Sequence, residues 1–271
     1  MRILQLSDLH LADQGGYAFR HADSVLTLKE TVDYILSAPI YPDVVVVTGD
    51  ISTDGSASSY EFAMEQLKRL PWPLYMVPGN HDEREPMKRI CGDVCRLDPE
   101  LYPESENCVD LPEARLLFVD SVIEFKPHGR ITDATAKWVK EHLPEDPNRP
   151  TLIFLHHVPF KTWLPAMDEP VENVDALLDV LSGHENVLVC CGHIHTSIMT
   201  YIKGVKVMTA PPVSMQMEID LRPGGEAPRP GGDAFFTAEP AFALHLIENG
   251  QVVTHFCTVP SGDRREGPYY F

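Results

Sequence analysis

Five short clusters in this 271-residue chain carry side chains that bind metal ions and move protons: Ser7-Asp8-Leu9-His10, Gly49-Asp50, Pro78-Gly79-Asn80-His81-Asp82, His156-His157 and Gly192-His193-Ile194-His195. Asp8, His10, Asp50, Asn80, His156, His193 and His195 together offer three oxygen groups and four imidazoles, with no thiolate among them. Mixed nitrogen and oxygen donors suit Fe(II), Mn(II), Co(II) or Zn(II), and suit Mg(II) less well because imidazole matches that harder ion poorly. Seven groups are too many for one tetrahedral zinc and about right for two ions sharing a bridging carboxylate. The x-spaced pairs Asp8/His10 and His193/His195 share a face wherever the chain is extended, so both members can reach one metal cluster. The glycines at 49, 79 and 192 let the backbone turn sharply beside the ions.

Each cluster directly follows a short apolar run, which defines the elements that must position it. The runs are Arg2 to Leu6, Asp43 to Thr48, Leu74 to Val77, Thr151 to Leu155 and Val187 to Cys191, with two more at Arg115 to Val119 and Val205 to Thr209. All seven read as strands. Val25, Leu28, Val32, Ile35 and Leu36 recur at helical spacing between the first two. Ser58-x-x-Glu61 offers a capping box to a second helix carrying Phe62, Leu67 and Leu70 and closed by Pro71. Thr132 to Leu143 and Val174 to Leu181 read as further helices. Alternating strands and helices predict an α/β fold with a largely parallel sheet, and in such sheets ligands bind at the carboxyl edge, where these clusters fall.

The later part of the chain reads differently. Residues 213–232 are Met-rich and then Gly/Pro-rich, which predicts a long exposed loop or lid. Phe242 to Ile247 and Gln251 to Phe256, joined through Asn249-Gly250, predict a C-terminal hairpin within about 241–258. The whole of 1–271 is read as one domain. These last segments suggest a self-association surface, which leaves a homo-oligomer open.

Composition narrows the partners. Lys+Arg 22 against Asp+Glu 40 gives a net charge of −18, which argues against nucleic-acid binding along a basic face. No apolar run approaches the roughly 20 residues that span a bilayer, so a cytoplasmic protein without a membrane partner is expected. Six cysteines without a C-x-x-C pair read as buried reduced thiols.

The ordered clusters Asp8-x-His10, Gly49-Asp50, Gly79-Asn80-His81-Asp82, His156-His157 and Gly192-His193-x-His195 resemble the signature of the calcineurin-like metallophosphoesterase superfamily. The surrounding residues are similar to its class III cyclic nucleotide phosphodiesterase and bacterial glycerophosphodiesterase branch, over roughly residues 1–212. The resemblance implies a four-layer α-β-β-α sandwich of two mixed sheets with a dinuclear metal site. It implies that Asp8, His10, Asp50 and His195 hold the first metal and Asp50, Asn80, His156 and His193 the second, with Asp50 bridging and His81 catalytic. The protein Ser/Thr phosphatase branch usually continues its second motif Gly-Asp-x-x-Asp-Arg-Gly, whereas this chain has Gly49-Asp50-Ile51-Ser52-Thr53-Asp54-Gly55, without the arginine. Likewise His157-Val158-Pro159 stands where the branch often has His-Pro-Pro.

The expected activity is hydrolysis of a small phosphodiester substrate, such as a glycerophosphodiester, by attack of a metal-bound hydroxide. A 3',5'-cyclic nucleotide phosphodiesterase is the alternative within the class, followed by a phosphomonoesterase. A non-catalytic scaffold is the reading from a different class, and the complete ligand set argues against it. Two divalent ions at the site would attract a phosphate that the acidic surface repels. His157 is expected behind the ligands rather than among them, and Asp82 either orients His81 or starts a helix. Tyr60, His21 and Asp13 are unranked candidates for touching a leaving group. Met208, Met215 and Met217 default to core packing, and His21, His128, His142, His184, His245 and His255 carry no assigned role.

Overall fold

The computed structural model describes residues 1–13, 16–164, 167–219, 234–260 and 266–270. Two sheets lie face to face between two groups of helices. The first has the order β13-β12-β1-β2-β3, from Gln251–Thr258, Ala241–Glu248, Arg2–Leu6, Val44–Thr48 and Leu74–Val77. The second has the order β4-β5-β6-β7-β9-β8, from Cys108–Asp110, Arg115–Phe118, Thr151–Phe154, Val187–Cys191, Val205–Thr209 and Met199–Ile202. Strands β1, β2 and β3 run parallel, as do β5, β6, β7 and β9, while the outer pairings are antiparallel. Both sheets are therefore mixed, and their parallel centres bring five cluster-bearing strand ends to neighbouring positions.

Residue alternation explains the layers. Leu4, Leu6, Val45 and Val47 face helices α1 (Ser24–Ser37) and α2 (Ala57–Leu67), packing on Leu28, Val32, Ile35, Tyr60 and Ala63. The opposite faces of the same strands turn Ile3, Val44 and Val46 inward against Leu116, Phe118, Leu152 and Phe154 of the second sheet. On that sheet's outer side, Leu117, Ile153 and Val189 meet α4 (Asp133–His142) and α5 (Val174–Leu181) through Val139, Leu177 and Leu181. Burying each such Leu, Ile, Val or Phe contributes roughly 1.5–3 kcal/mol, and the whole is the expected four-layer α-β-β-α arrangement.

Local chemistry sets the helix ends. The Asp23 carboxylate accepts from Leu26 N at 3.0 Å to cap α1, and Thr132 Oγ1 accepts from Thr135 N at 2.9 Å to cap α4. The capping box expected at Ser58 does not form. Helix α2 starts at Ala57 after Ser56, and the Ser58 hydroxyl donates instead to Asp13. A helix the periodicity does not reveal, α3 (Arg84–Cys91), follows the third cluster. The exposed loop expected at 213–232 begins otherwise: Val213 and Ser214 are buried, and β10 (Met215–Met217) pairs with β11 (Ala234–Thr237), itself paired with β14 (Glu266–Tyr270). The Gly/Pro-rich remainder, 220–233, lies outside the described residues. Met208, Met215 and Met217 are core side chains, and all six cysteines are unpaired thiols.

Candidate metal centre

Backbone bonds draw the loops that follow the strands together. Asp8 N donates to Gly49 O at 3.1 Å, His10 N to Asp50 O at 2.8 Å, and His193 N to the Asp8 carboxylate at 3.0 Å, which ties the two sheets at this edge. The Asp82 carboxylate accepts from Gly79 N at 2.8 Å, Ser52 N at 2.9 Å and Ile51 N at 3.1 Å. Asp82 therefore clamps the second loop to the third, rather than orienting the His81 ring or capping α3. A Cβ on Gly49 would lie 2.5 Å from His156 Nδ1, so a glycine there lets the β2 loop pass under that imidazole.

The pairs Asp8/His10 and His193/His195 converge by a route other than the extended one expected. Their φ angles are 53° and 47°, and 73° and 53°, and Asp50 adds a fifth left-handed residue at 49°. Left-handed backbone is uncommon for residues other than glycine, and Asp, Asn and His are the types that tolerate it best. Each turn swings its carboxylate or imidazole off the strand axis into the crevice between the sheets.

Asp8, His10, Asp50 and His195 each present an atom within 4.8 Å of the others, and His156, His157 and His193 form a second such group. Asp50 Oδ2 links the groups, standing 3.4 Å from His10 Nε2 and 3.4 Å from His156 Nε2. Asn80 Oδ1 joins the second at 3.0 Å from His156 Nε2. His157 stands apart chemically: its Nε2–H donates to Pro127 O at 3.2 Å, and its Nδ1 accepts from Ser121 Oγ at 2.8 Å. Both ring nitrogens are used, and burial together with His156 pushes the ring down to about 3, so it stays neutral.

His81 borders both groups on the open side. Its backbone N–H donates to Asp50 Oδ1 at 2.9 Å, and Nδ1 meets Thr53 O at 2.9 Å, so the proton sits on Nδ1 and Nε2 is left for a ligand. Phe19 lies 5.5 Å from the His81 ring and 5.0 Å from His10, and Phe235 lies 5.1 Å from His195. No pattern in the sequence marks these two aromatic walls, which come from segments without regular periodicity. Tyr60, by contrast, is fully buried with its hydroxyl accepting from Glu83 N at 2.9 Å, so it does not face the crevice.

A model of calcineurin-like phosphoesterases matches residues 1–197. The chain belongs to the calcineurin-like phosphoesterase family. This phosphoesterase is 31% identical over 281 residues to a probable glycerophosphodiester phosphodiesterase GpdQ of Arcobacter nitrofigilis, across 100% of this chain and 97% of that one. It is 30% identical over 232 residues to a glycerophosphodiester phosphodiesterase GpdQ of Enterobacter lignolyticus, covering 82% of each. A 3',5'-cyclic adenosine monophosphate phosphodiesterase CpdA of Vibrio vulnificus is 26% identical over 265 residues, covering 97% of this chain and 91% of that one. A dimetal phosphatase from Danio rerio has the same fold, with a TM-score of 0.62 at 15% identity over 96% of this chain and 99% of that one.

The donor set of this calcineurin-like phosphoesterase fits divalent metal ions. Asp8 and Asp50 are almost fully buried beside one another, and among the described residues the ion pairs to them come from imidazoles, with no Lys or Arg paired to either. His156 Nδ1 donates to Thr48 O at 2.8 Å and His195 Nδ1 to Met215 O at 2.7 Å, so both Nε2 lone pairs aim at the crevice. His156 Nε2, an acceptor when the ring is neutral, then faces the Asn80 carbonyl oxygen at 3.0 Å, a contact that a cation reconciles, and His195 Nε2 turns its lone pair to His10 Nε2 at 2.9 Å. Without a metal, protons take part of that role. Burial draws His156 down, but Asp50 and Asp8 outweigh it and hold the ring up at about 9. Burial pushes the Asp8 carboxyl up and His10 and His193 well down, while His156, His81 and His10 overcome burial to hold Asp50 well below the usual range.

Proposed function

We propose that the chain hydrolyses small organic phosphodiesters, glycerophosphodiesters foremost, with two divalent ions drawn from Fe, Mn, Zn and Co. Asp8, His10, Asp50 and His195 hold the first ion, and Asp50, Asn80, His156 and His193 hold the second, with Asp50 bridging. The observation that carries this reading is the position of Asp50 Oδ2, 3.4 Å from an imidazole of each group at the floor of the crevice. When bound, the ions supply Lewis acidity toward the phosphoryl oxygens and lower the pKa of water toward neutrality. His81, held through Nδ1 and its backbone N–H, presents Nε2 to the substrate and, when protonated, donates to the phosphoryl or departing oxygen. Phe19 and Phe235 bound the space for the leaving group. The preference for glycerophosphodiesters draws on the two GpdQ relatives, one of which matches this chain end to end.

On this reading, residues 1–271 form one catalytic domain, and six unpaired thiols suit the reducing cytoplasm. The test is a metal-reconstituted panel of glycerophosphoethanolamine, cyclic AMP and a phosphomonoester, run before and after chelation. Glycerophosphoethanolamine is expected to turn over fastest, with activity lost on chelation and restored by add-back. Preference for cyclic AMP would move the assignment to the cyclic nucleotide branch, and activity surviving complete metal removal would overturn the two-metal account.

A further inference from the structure

The layer between the two sheets is apolar at one end, around Ile3, Val44, Leu116 and Ile247, and polar at the other. There a run of hydrogen bonds, half-buried at Thr254 and buried from Gln5 onward, crosses from the C-terminal hairpin to the candidate metal centre. Thr254 Oγ1 donates to His245 Nδ1 at 2.8 Å, and His245 Nε2 donates to Gln5 Oε1 at 3.1 Å. The Gln5 amide donates to Thr48 Oγ1 at 2.9 Å and to Cys191 O, across the sheets, at 3.1 Å. Thr48 Oγ1 donates to Ser7 Oγ at 2.9 Å, and Ser7 Oγ returns its proton to Thr48 O at 3.2 Å. That carbonyl is the one that accepts from His156 Nδ1.

The two protons of the Gln5 amide match its two acceptors, and Thr48 Oγ1, nearest Ser7 Oγ, also lies 3.3 Å from Leu6 O. Gln5 and His245 are both fully buried, and neither contributes to the crevice surface. Burying an amide and an imidazole is costly unless their bonds are made, and an apolar pair of similar volume would fill the same space without that demand. The arrangement makes sense if the bonds set a distance. Gln5 holds the end of β1 to Thr48 at the end of β2 and to Cys191, the residue before the Gly192-His193-Ile194-His195 loop. It thus spans the two sheets immediately behind the second group of donors.

We infer that Gln5, through Thr48 and Cys191, is a positioning residue for the second metal, fixing His156 and His193 against Asp50. The inference rests on the two-metal reading above, and wild-type protein tests that reading separately.

Gln5→Met keeps the length of the side chain and removes its hydrogen bonds, and Thr48→Val keeps the carbonyl to His156 and removes the hydroxyl. For wild type and both variants, calorimetric titration with Mn(II) would give the affinity of each site, thermal unfolding of the metal-free chain would give stability, and bis(p-nitrophenyl) phosphate would give kcat at rising Mn(II). Removing a partner behind a ligand typically weakens a metal by about 10- to 100-fold. Gln5→Met is expected to weaken the second Mn(II) site by that factor and leave the first within about 2-fold, with kcat recovering at high Mn(II). Thr48→Val should show the same selectivity with a smaller factor. A foldable variant that loses thermal stability but keeps both affinities would overturn the inference, as would equal weakening of both sites. Should Gln5→Met not fold, unchanged affinities in Thr48→Val would overturn it instead. A wild-type chain that takes up fewer than two ions would count against the two-metal reading itself.

Discussion

A single methyl group at position 79 tests whether the crevice is set by crowding between loops. A Cβ built on Gly79 lies 2.2 Å from Asp50 Oδ1 and 2.3 Å from Asp50 N, against the 3.4–4 Å of ordinary contact. Gly79 does not occupy the left-handed region, so alanine meets no conformational penalty there and its effect is one of space alone. Asp50 cannot swing aside, because Oδ1 is held by His81 N and the backbone N belongs to the loop itself. Relief requires the β2 and β3 loops to separate by about 1 Å, and a misplacement of that size commonly costs about 100-fold in rate. Overpacking of this kind destabilises by about 1–3 kcal/mol. Gly79→Ala is therefore expected to lower kcat on bis(p-nitrophenyl) phosphate by about 100-fold at saturating metal while the protein remains folded. Gly183→Ala is the control. That glycine has φ +85° and open space around it, so alanine there should cost about 1 kcal/mol in stability and nothing in kcat. A Gly79→Ala enzyme within about 3-fold of wild type, or equal losses in the two variants, would refute the argument.

Two further outcomes follow from the site and the polar run. His81→Ala should lower kcat by about 100- to 10,000-fold with metal content unchanged, as for loss of a proton donor; loss of metal would place His81 among the ligands. Burial pushes His245 down from 6.5 to about 3, so between those values the unfolded chain binds a proton that the native chain does not. Stability contributed by this neutral ring is complete above about pH 6.5 and falls by about 1.4 kcal/mol per pH unit as acid is added. His245→Leu should lower stability at pH 7 by about 1–3 kcal/mol, by stranding Gln5 and Thr254, yet flatten the acid limb. Urea unfolding of metal-free protein between about pH 4.5 and 7 reads both effects, and parallel limbs for the two proteins would rule out a neutral buried His245.

The elements that hold the donors are legible because their runs are long enough to show a period. Val44–Thr48 is apolar through nearly its whole length, as a strand buried on both faces must be. The order of clusters at strand ends also identifies the crevice before any coordinate is known. What the sequence conceals is local. Arg84–Cys91 has too few apolar residues for a helical stripe and carries Pro86 in its first turn. Met215–Met217 is only three residues long and finds its partner beyond an interval of more than ten residues. The x-spacing of Asp8/His10 points to the right pair through a mistaken picture, since extension and a left-handed turn both bring alternate side chains together. Gln5 is one of two polar residues in Arg2–Leu6 and nothing in the sequence marks it, because its partners on β2, β7 and β12 exist only after the sheets pack.

The left-handed backbone at Asp8, His10, Asp50, His193 and His195 also limits how this centre can be retuned. On the proposed two-metal reading, aspartate and histidine satisfy two separate demands at these positions, donating to a cation and accepting a φ that most side chains resist. An exchange such as His10→Cys or Asp50→Glu would have to succeed on both counts, even where the incoming atom binds the desired ion well. The carbonyls of Thr48 and Met215, which hold His156 and His195 from behind, carry no such double requirement, because neither residue is left-handed and neither side chain donates. If these residues hold the proposed ions, a change of metal preference is therefore more accessible through the groups behind the donors than through the donors themselves, whose identity the shape of the chain also constrains.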